Sequence, residues 1–345
     1  MKSKIMLLFF MILIASCQNE KGNYVCPPCD LECDKLTFSK AGTCPNCKME
    51  LVLKSELEAD LNMVVNDINI QDGSGKFLIE GGYEKSNTIL LHYHKPKKFT
   101  KDSKVIFILP GAGRNGKDYR NAWKEASEKY GLLVISPEYS EKHYPQFWSY
   151  NLGGMIYDVD VQNETFKINQ NKEQWIFEDF DRIFNTIKSN LNLTANKYDM
   201  FGHSAGGQIL HRLAIFKPNN KADRILASNS GWYTIPTISD TFPYGIRNIQ
   251  ESSNRLDFSK NLVIFLGKKD DANETRGDLR RSPEVDKQGL HRLERGIYFY
   301  NESKKIAFES NLEFNWKLVI VPNVGHDYKE MSRKASEYLY ESKEK

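Results

Sequence analysis

Apolar runs of strand length alternate with longer amphipathic stretches from about Leu57 onward. The runs KVIFILPGAG and NLVIFLG are mostly apolar, whereas EQWIFEDFDRIFNTIKSNL repeats apolar residues at three- and four-residue intervals, as a helix does. Strands that alternate with helices form mostly parallel sheets, and continuously apolar strands indicate that helices cover both faces. The sequence therefore predicts an α/β fold over 57–345, with functional residues at the carboxyl ends of its strands.

The segment YDMFGHSAGGQILHRLAIF, residues 198–216, joins one predicted strand to the helix that follows it. Its centre, GHSAG, matches the G-x-S-x-G pattern of a sharp turn that exposes a nucleophilic serine. Gly202 and Gly206 suit such a turn because it leaves no room for side chains at these positions. We therefore predict that Ser204 is a nucleophile; the alternative is that Ser204 is only a small residue at a tight turn.

A serine nucleophile needs a histidine base, and the histidine needs an acid that fixes its tautomer. Of the seven histidines, only His291 and His326 lie beyond the strand NLVIFLG. His291 reads as mid-helical and structural, whereas His326 follows a buried strand directly, in the loop PNVGHDY. The acid is expected at the end of an intervening strand, where Asp270 lies three residues beyond Gly267 and Asp271 is the second candidate. The alternative for His326 is an ordinary surface histidine.

The negative charge that develops when a serine attacks requires backbone N–H donors. Ala205, directly after the nucleophile, is expected to supply one donor. The second is expected from the glycine turn LPGAGRNG after an early strand, at Ala112. Together with the serine, acid and histidine, these two positions complete a predicted acyl-transfer site.

The same region resembles α/β-hydrolases of the polyhydroxybutyrate-depolymerase and feruloyl-esterase-like group over most of 57–345. The resemblance is carried by GAGRNGKDYRNAW, YNLGGM, GHSAGGQILHR, GWYTIPT with FPYG, and QGLHRLERG. It implies that Ser204, Asp270 and His326 form the triad, but no substrate carries over from it. We expect hydrolysis of a small-molecule or polymeric carboxylic ester through an acyl-enzyme, with no cofactor for catalysis. A serine peptidase of the same fold remains open, as does an inactive hydrolase domain on a metal-binding lipoprotein.

Two segments rich in Tyr, Phe and Trp follow predicted strands on the expected catalytic side. They are PEYSEKHYPQFWSYNLGGMIYDVD and GWYTIPTISDTFPYG. We interpret them as walls of a pocket for an apolar or aromatic ligand. The alternative is that these aromatic residues only cover the end of the sheet.

Five of the six cysteines lie within 24–53, spaced as Cys26-x2-Cys29 and Cys44-x2-Cys47, with Cys33 between the pairs. Two such pairs match a four-thiolate metal site, and thiolates suit zinc or copper(I). So short a segment needs a metal or disulfides because it cannot bury a core of its own. Two disulfides with one thiol left over, and a redox C-P-P-C, are the alternatives.

This cysteine module resembles the small heavy-metal-binding domain found beside copper-transporting ATPases and in metal-efflux lipoproteins. An aromatic residue before Cys-Pro, the motif GTCPNC and the following MEL carry the resemblance. From the spacing we predict that Cys26, Cys29, Cys44 and Cys47 hold the metal, and that Cys33 is dispensable or at most a substitute ligand. Two residues depart from the family, since Cys29 replaces a histidine and Lys48 replaces a glycine.

Residues 1–16 have the pattern of an export signal: a basic start, an apolar run too short to span a bilayer, and the box IASC. Small residues before a cysteine resemble the cleavage box of bacterial lipoproteins. The resemblance implies a lipidated Cys17, a tether over 17–23 and a place in the cell envelope, with Gln18 favouring the outer membrane. An ordinary secreted protein is the alternative.

Composition and charge exclude one class of partner. The chain is 40% hydrophobic and 27% charged, which is ordinary for a folded protein. Its formal net charge is only +3. We therefore expect no nucleic-acid surface, because such a surface requires a strong basic excess.

Overall fold

The computed structural model describes residues 23–26, 32–46, 51–55, 57, 63–163, 165–249, 256–272 and 279–341. The chain divides into two compact units, Met1–Leu61 and Asn62–Lys345. Three of the predicted site residues, Cys17, Cys29 and Cys47, lie outside the described residues.

The N-terminal unit contains three two-residue strands, β1 (Tyr24–Val25), β2 (Thr37–Phe38) and β3 (Val52–Leu53), and a 3-10 helix over Glu32–Lys35. Strand β1 lies in the middle and pairs antiparallel with both neighbours. The buried apolar cluster described for this unit is made of three cysteines. Cysteine therefore occupies the positions that aliphatic residues fill in a larger core.

The larger unit is built on a sheet of eight strands among its described residues. In chain order these are β4 (Gly73–Ile79), β5 (Ile89–Lys95), β6 (Val105–Leu109), β7 (Leu133–Glu138), β10 (Tyr198–His203), β11 (Ala222–Ser228), β12 (Asn261–Gly267) and β13 (Lys317–Val321). Their order across the sheet is β13-β12-β11-β10-β6-β7-β5-β4. The six strands from β13 to β7 are parallel, while β5 runs antiparallel to both β7 and β4. This arrangement confirms the predicted α/β fold.

Helices cover both faces of this sheet. The helices are α1 (Gly116–Ala122), α2 (Lys124–Tyr130), α3 (Gln146–Tyr150), α4 (Phe177–Leu191), α5 (Ala205–Phe216), α6 (Pro283–Asp286), α7 (Arg292–Glu309) and α8 (Tyr328–Tyr340). One buried cluster includes residues of α4, α5 and α7, and the other includes residues of α1, α2 and α8. Strand β6 is buried on both sides, because Phe107 belongs to the first cluster and Ile106 and Ile108 belong to the second.

Three local features differ from what the sequence pattern indicates. The segment YRNAWKEASEKYG, 119–131, has the pattern of one helix closed by Gly131. It is instead broken at Trp123 into α1 and α2, and Gly131 ends α2 at a φ of 70°. The aromatic segment after β7 forms a hairpin of β8 (Ile156–Asp160) and β9 (Thr165–Ile168). His291, which reads as mid-helical, is instead the N-cap of α7 and accepts a hydrogen bond from the Glu294 N–H.

Among the described residues, not one helix combines the length and the apolar character that crossing a bilayer requires.

Candidate active site

Ser204 occupies the turn between β10 and α5. Its φ is 56° and its ψ is −112°, a conformation that L residues rarely adopt. The turn requires glycine at two positions. A Cβ on Gly202 would lie 2.5 Å from the backbone of Gly206, and a Cβ on Gly206 would lie 2.2 Å from the Leu109 carbonyl oxygen, so any other residue would clash. Ser204 is partly exposed, and its N–H donates to the Ser228 carbonyl at 2.9 Å. A sharp, strained turn thus presents the hydroxyl at the carboxyl end of β10.

Asp270 and His326 meet at the same edge of the sheet. Nδ1 of His326 lies 2.8 Å from Oδ2 of Asp270, whose side chain is buried. Asp271 is exposed. Because Nδ1 faces the carboxylate, Nε2 is the nitrogen that His326 has for a further partner. Among the described side chains Ser204 and His326 do not share a hydrogen bond, a separation that is common in hydrolase sites without substrate.

Asn229 is a residue of this site that the sequence pattern did not reveal. It follows β11 with a φ of 47°, and its Nδ2 donates to Oδ2 of Asp270 at 2.7 Å and to the Gly325 carbonyl at 3.2 Å. Its Oδ1 accepts from the Gly267 N–H at 3.2 Å and from the Ser228 hydroxyl at 3.0 Å. The amide therefore fixes the carboxylate of Asp270 and the loop that carries His326.

The ring of His203 packs against the ring of His326, with the two ring centroids 4.5 Å apart. Nδ1 of His203 lies 3.1 Å from the Tyr119 hydroxyl, and its buried Nε2 has no hydrogen-bond partner among the described residues. Burial, followed by the charges of His326 and Arg292, holds the pKa of His203 well below its usual range. His203 is therefore neutral at physiological pH, and it adds no positive charge beside the base.

The loop after β6 lies against the nucleophile. A Cβ on Gly111 would be 3.6 Å from the Ser204 Cβ and 3.0 Å from the Tyr119 hydroxyl. Ala112, the next residue, is exposed, and Ala205 is the first residue of α5, whose first-turn N–H groups have no acceptor within the helix. The structure thus brings the loop that contains Ala112 and the start of α5 close to Ser204.

The two aromatic segments border the same edge of the sheet, and buried arginines hold them. Arg114 donates to the Tyr139 carbonyl at 2.9 Å and to the Gln146 carbonyl at 2.7 Å. Arg212 donates to Thr234 Oγ1 at 2.9 Å and to the Asn151 carbonyl at 3.0 Å. Many of the aromatic side chains, including those of Tyr139, Tyr150, Trp232 and Tyr233, are buried. The buried rings favour the alternative that these segments cover the end of the sheet, at least in part.

A second cluster of reactive side chains lies in the N-terminal unit. The sulfur atoms of Cys26, Cys33 and Cys44 all lie within 4.8 Å of one another, and all three residues are buried. The structure therefore places together two of the four cysteines that the spacing selects and one, Cys33, that it treats as dispensable.

Sequence reasoning missed Asn229, His203, Tyr119 and Arg292 at the candidate active site. For Asn229 a signal exists, because a polar residue directly after the buried strand RILAS lies at the carboxyl edge of the sheet. Arg292 belongs to α7, and its Nη1 lies 3.7 Å from Oδ1 of Asp270. Tyr119 belongs to α1, and its hydroxyl contacts His203. Contacts between such distant parts of the chain have no local sequence pattern.

Comparison with solved structures finds similar proteins. The chain is 33% identical to poly(aspartic acid) hydrolase-1 from Sphingomonas sp. KT-1, and the match covers 79% of this chain and 100% of that one with a TM-score of 0.70. It is 27% identical to LpqC, poly(3-hydroxybutyrate) depolymerase from Bordetella parapertussis, over 79% of this chain and 91% of that one, with a TM-score of 0.72. The siderophore hydrolase EstA from Aspergillus nidulans is 14% identical over 79% of this chain and 97% of its own, with a TM-score of 0.50. No protein-family model and no curated protein sequence matches the chain.

Proposed function

The chain belongs to the α/β-hydrolase family of poly(aspartic acid) hydrolase-1, and from this premise we propose a serine hydrolase that cleaves carboxylic esters through an acyl-enzyme. Ser204 is the nucleophile, His326 the base and Asp270 the acid. The observation that carries the proposal is the 2.8 Å contact between His326 and Asp270 at the edge of the sheet where the strained Ser204 turn ends.

The proposed reaction follows from the roles of these groups. Nε2 of His326 takes the proton of the Ser204 hydroxyl as its oxygen attacks the carbonyl carbon, and the buried Asp270 carboxylate stabilises the imidazolium that forms. The N–H groups of Ala112 and Ala205 bind the resulting oxyanion. His326 then returns the proton to the leaving alkoxide, and a water molecule hydrolyses the acyl-enzyme by the same steps.

An amide hydrolase of the same mechanism is the second candidate. Poly(aspartic acid) is joined by amide bonds and poly(3-hydroxybutyrate) by ester bonds, so the two similar proteins are named for different bonds. An acyl-enzyme can form from either bond, because the serine attacks a carbonyl carbon in both. The candidates are separated by measuring kcat/KM on short-chain esters, a poly(3-hydroxybutyrate) oligomer, poly(aspartic acid) and aminoacyl anilides.

The central test is the replacement Ser204→Ala. It is expected to reduce kcat for ester hydrolysis by several orders of magnitude while the unfolding midpoint stays close to that of the unchanged protein. Asp270→Asn is expected to lower kcat far more than Asp271→Asn, because only Asp270 contacts His326. Activity of Ser204→Ala within tenfold of the unchanged enzyme would exclude the serine mechanism.

We also propose that the protein is held in the bacterial cell envelope by lipid on Cys17. The support is the IASC box after a short apolar run. Several acyl chains on one residue would give firm anchoring, since each buried methylene contributes about 0.8 kcal/mol. The native protein is expected to partition into detergent, and Cys17→Ser is expected to abolish this partitioning or to block processing. Equal membrane association of the two forms would refute the anchor.

A further inference from the structure

The buried cluster described in the N-terminal unit is composed of three cysteines. Cys26, Cys33 and Cys44 are at most 2% exposed, and the partly buried side chains packed against them are those of Phe38 and Leu51. Burying this cluster removes little apolar surface from water, and folding of even a short segment costs backbone entropy of about 1–2 kcal/mol per residue. Packing of the cluster alone therefore does not account for a compact unit among the described residues.

The three sulfur atoms are close enough to share one ion. They lie within 4.8 Å of one another. Thiolates bind zinc at about 2.3 Å, so sulfurs around one tetrahedral ion are about 3.8 Å apart, and a contraction of about 1 Å at most brings the three to that spacing. Cys26 follows β1, Cys33 lies in the 3-10 helix and Cys44 lies in the loop before β3. An ion at their centre would join these three segments of the unit.

We propose that Cys33 is a ligand in a thiolate site for a soft metal ion, zinc or copper(I), together with Cys26 and Cys44. This ligand set differs from the one that the C-x-x-C spacing selects, because Cys33 belongs to neither pair. A metal held in this way would cross-link the segments that carry the three cysteines, and its binding would displace one proton from each thiol.

The test uses the full-length protein, purified under reductant and loaded with zinc or with copper(I). Metal content is measured by elemental analysis, and affinity is measured by competition with a chromogenic chelator. Cys33→Ser is expected to weaken metal affinity at least tenfold, while Ser39→Ala, a nearby polar change outside the cluster, leaves it unchanged. The ester hydrolysis rate gives an independent check that the rest of the chain is folded.

Two results would overturn this assignment. Cys33→Ser with the same metal affinity as the unchanged protein, alongside loss of binding in Cys44→Ser, would leave a metal site without Cys33. Absence of bound metal in the unchanged protein, with Cys26, Cys33 or Cys44 found in disulfides by mass mapping under non-reducing conditions, would make the cluster a covalent cross-link. Neither result bears on the Ser204 mechanism, which is measured separately.

A different observation concerns Arg114. It joins the oxyanion loop, residues 110–114 with Ala112, to the first aromatic segment. Arg114 is 5% exposed and has a φ of 54° in the turn that contains Ala112. Its guanidinium donates to the carbonyl oxygens of Tyr139, Tyr144 and Gln146 and pairs with Glu141 at 3.2 Å. The segment over 139–146 therefore wraps around this one side chain.

A tyrosine closes the connection from the other side. The guanidinium carbon of Arg114 lies 5.0 Å from the centre of the Tyr150 ring, and the Tyr150 hydroxyl donates to the Pro110 carbonyl at 2.8 Å. Both ends of the short loop over 110–114 are thus fixed to the same aromatic segment. An error of about 1 Å in the position of a catalytic group can cost roughly 10²-fold in rate, so this support is relevant to the N–H of Ala112.

We infer, on the basis of the proposed function, that Arg114 is a positioning residue for the oxyanion hole. Arg114→Lys keeps the charge but cannot donate to several carbonyl groups in one plane. It is expected to lower kcat at least tenfold per active site, with active sites counted by covalent labelling of Ser204 with a fluorophosphonate. Arg120→Lys is the matched control, because Arg120 is also buried and donates to the Gly75 and Tyr93 carbonyls away from the loop.

The control separates positioning from general support of the fold. Both variants are expected to lose thermal stability, and Arg120→Lys is expected to keep kcat per labelled site. An unchanged kcat per labelled site in Arg114→Lys, or an equal loss in Arg120→Lys, would overturn the inference. A failure of this kind leaves Ser204→Ala inactive, so it is distinguishable from a failure of the serine mechanism.

Discussion

Asn229 uses its whole amide to hold the candidate acid in place. Its Nδ2 has two acceptors and its Oδ1 has two donors, one of them the Gly267 N–H, so the orientation of the amide follows from its neighbours. Residues that orient a catalytic group without reaching the substrate are not visible in a motif. The role of Asn229 is visible only in the hydrogen bond that it donates to Asp270 in the folded protein.

The first prediction concerns this amide. Asn229→Asp places a second carboxylate beside Asp270, where a 2.7 Å hydrogen bond now lies. Like charges at this distance repel, so the acid and His326 are expected to shift and kcat/KM for ester hydrolysis to fall roughly 10²-fold at pH 7. Steady-state kinetics on a soluble short-chain ester measure the effect.

The control for Asn229→Asp is Asn192→Asp. Asn192 has a φ of 52° at the C-terminus of α4, so the same substitution is made in the same backbone conformation. We expect it to leave kcat/KM unchanged. Equal activity of Asn229→Asp and Asn192→Asp would show that Asn229 does not orient Asp270.

At the scale of elements, α5 carries both the nucleophile turn and a histidine that fixes the following loop. Nε2 of the buried His211 accepts a hydrogen bond from the Thr234 N–H at 3.1 Å, and its Nδ1 lies 3.2 Å from the Gly207 carbonyl. The ring is therefore neutral, with its proton on Nδ1, because a backbone N–H requires a lone pair on Nε2. Burial holds the pKa of His211 well below its usual range.

The second prediction follows from this neutral ring. In the unfolded chain a histidine titrates near pH 6.5, whereas His211 stays neutral in the folded state, so the unfolded state binds one more proton below that pH. The free energy of unfolding is expected to fall as pH drops from 6.5 to 5, by up to about 1.4 kcal/mol per pH unit for this group. Urea unfolding at several pH values, compared with His211→Gln, measures its share. Identical pH dependence in the two proteins would contradict this prediction.

The elements also show what the sequence could predict and what it could not. Strands β6 and β12 were predictable because their apolar runs are continuous, and the glycines around Ser204 indicated the turn. Strand β4 was not predicted, since GSGKFLI mixes glycine and polar residues as an edge strand does. The helix break at Trp123 was not predictable, because no glycine or proline lies there. Trp123 is buried in the core, and such tertiary packing has no local sequence pattern.

For the candidate site, chain order was informative because parallel strands end at one edge. Ser204, Asp270 and His326 each follow a strand, and the contact between the last two was foreseeable from that alone. The closeness of Cys33 to Cys26 and Cys44 was not foreseeable. Spacing along the chain favours near neighbours, whereas the fold of the small unit brings in Cys33.

At the scale of the whole molecule, the candidate active site and the cysteine cluster belong to different compact units. Triad chemistry needs no metal. The third prediction is that a chain beginning near Leu57 keeps the full ester hydrolysis rate and that chelators do not inhibit the intact protein. Loss of more than tenfold in kcat on removal of the N-terminal unit would show that the two functions depend on each other.

The fourth prediction concerns the metal itself. Thiolate ligands must be deprotonated, so a metal held by Cys26, Cys33 and Cys44 is expected to dissociate as pH falls, while the ester hydrolysis rate measured after return to pH 7 is unchanged. Release is followed with a chromogenic chelator during acid titration. Metal that stays bound at a pH where free thiols are fully protonated would argue against a thiolate site.

The order of the strands has a consequence for biosynthesis. The oxyanion loop follows β6 and the nucleophile follows β10, but the base follows β13, an edge strand that the ribosome makes after the other seven. On the proposed mechanism, a nascent chain that already contains Ser204 still lacks its general base. The order of synthesis alone would therefore delay the full hydrolysis rate until β13 and the loop that follows it have been made.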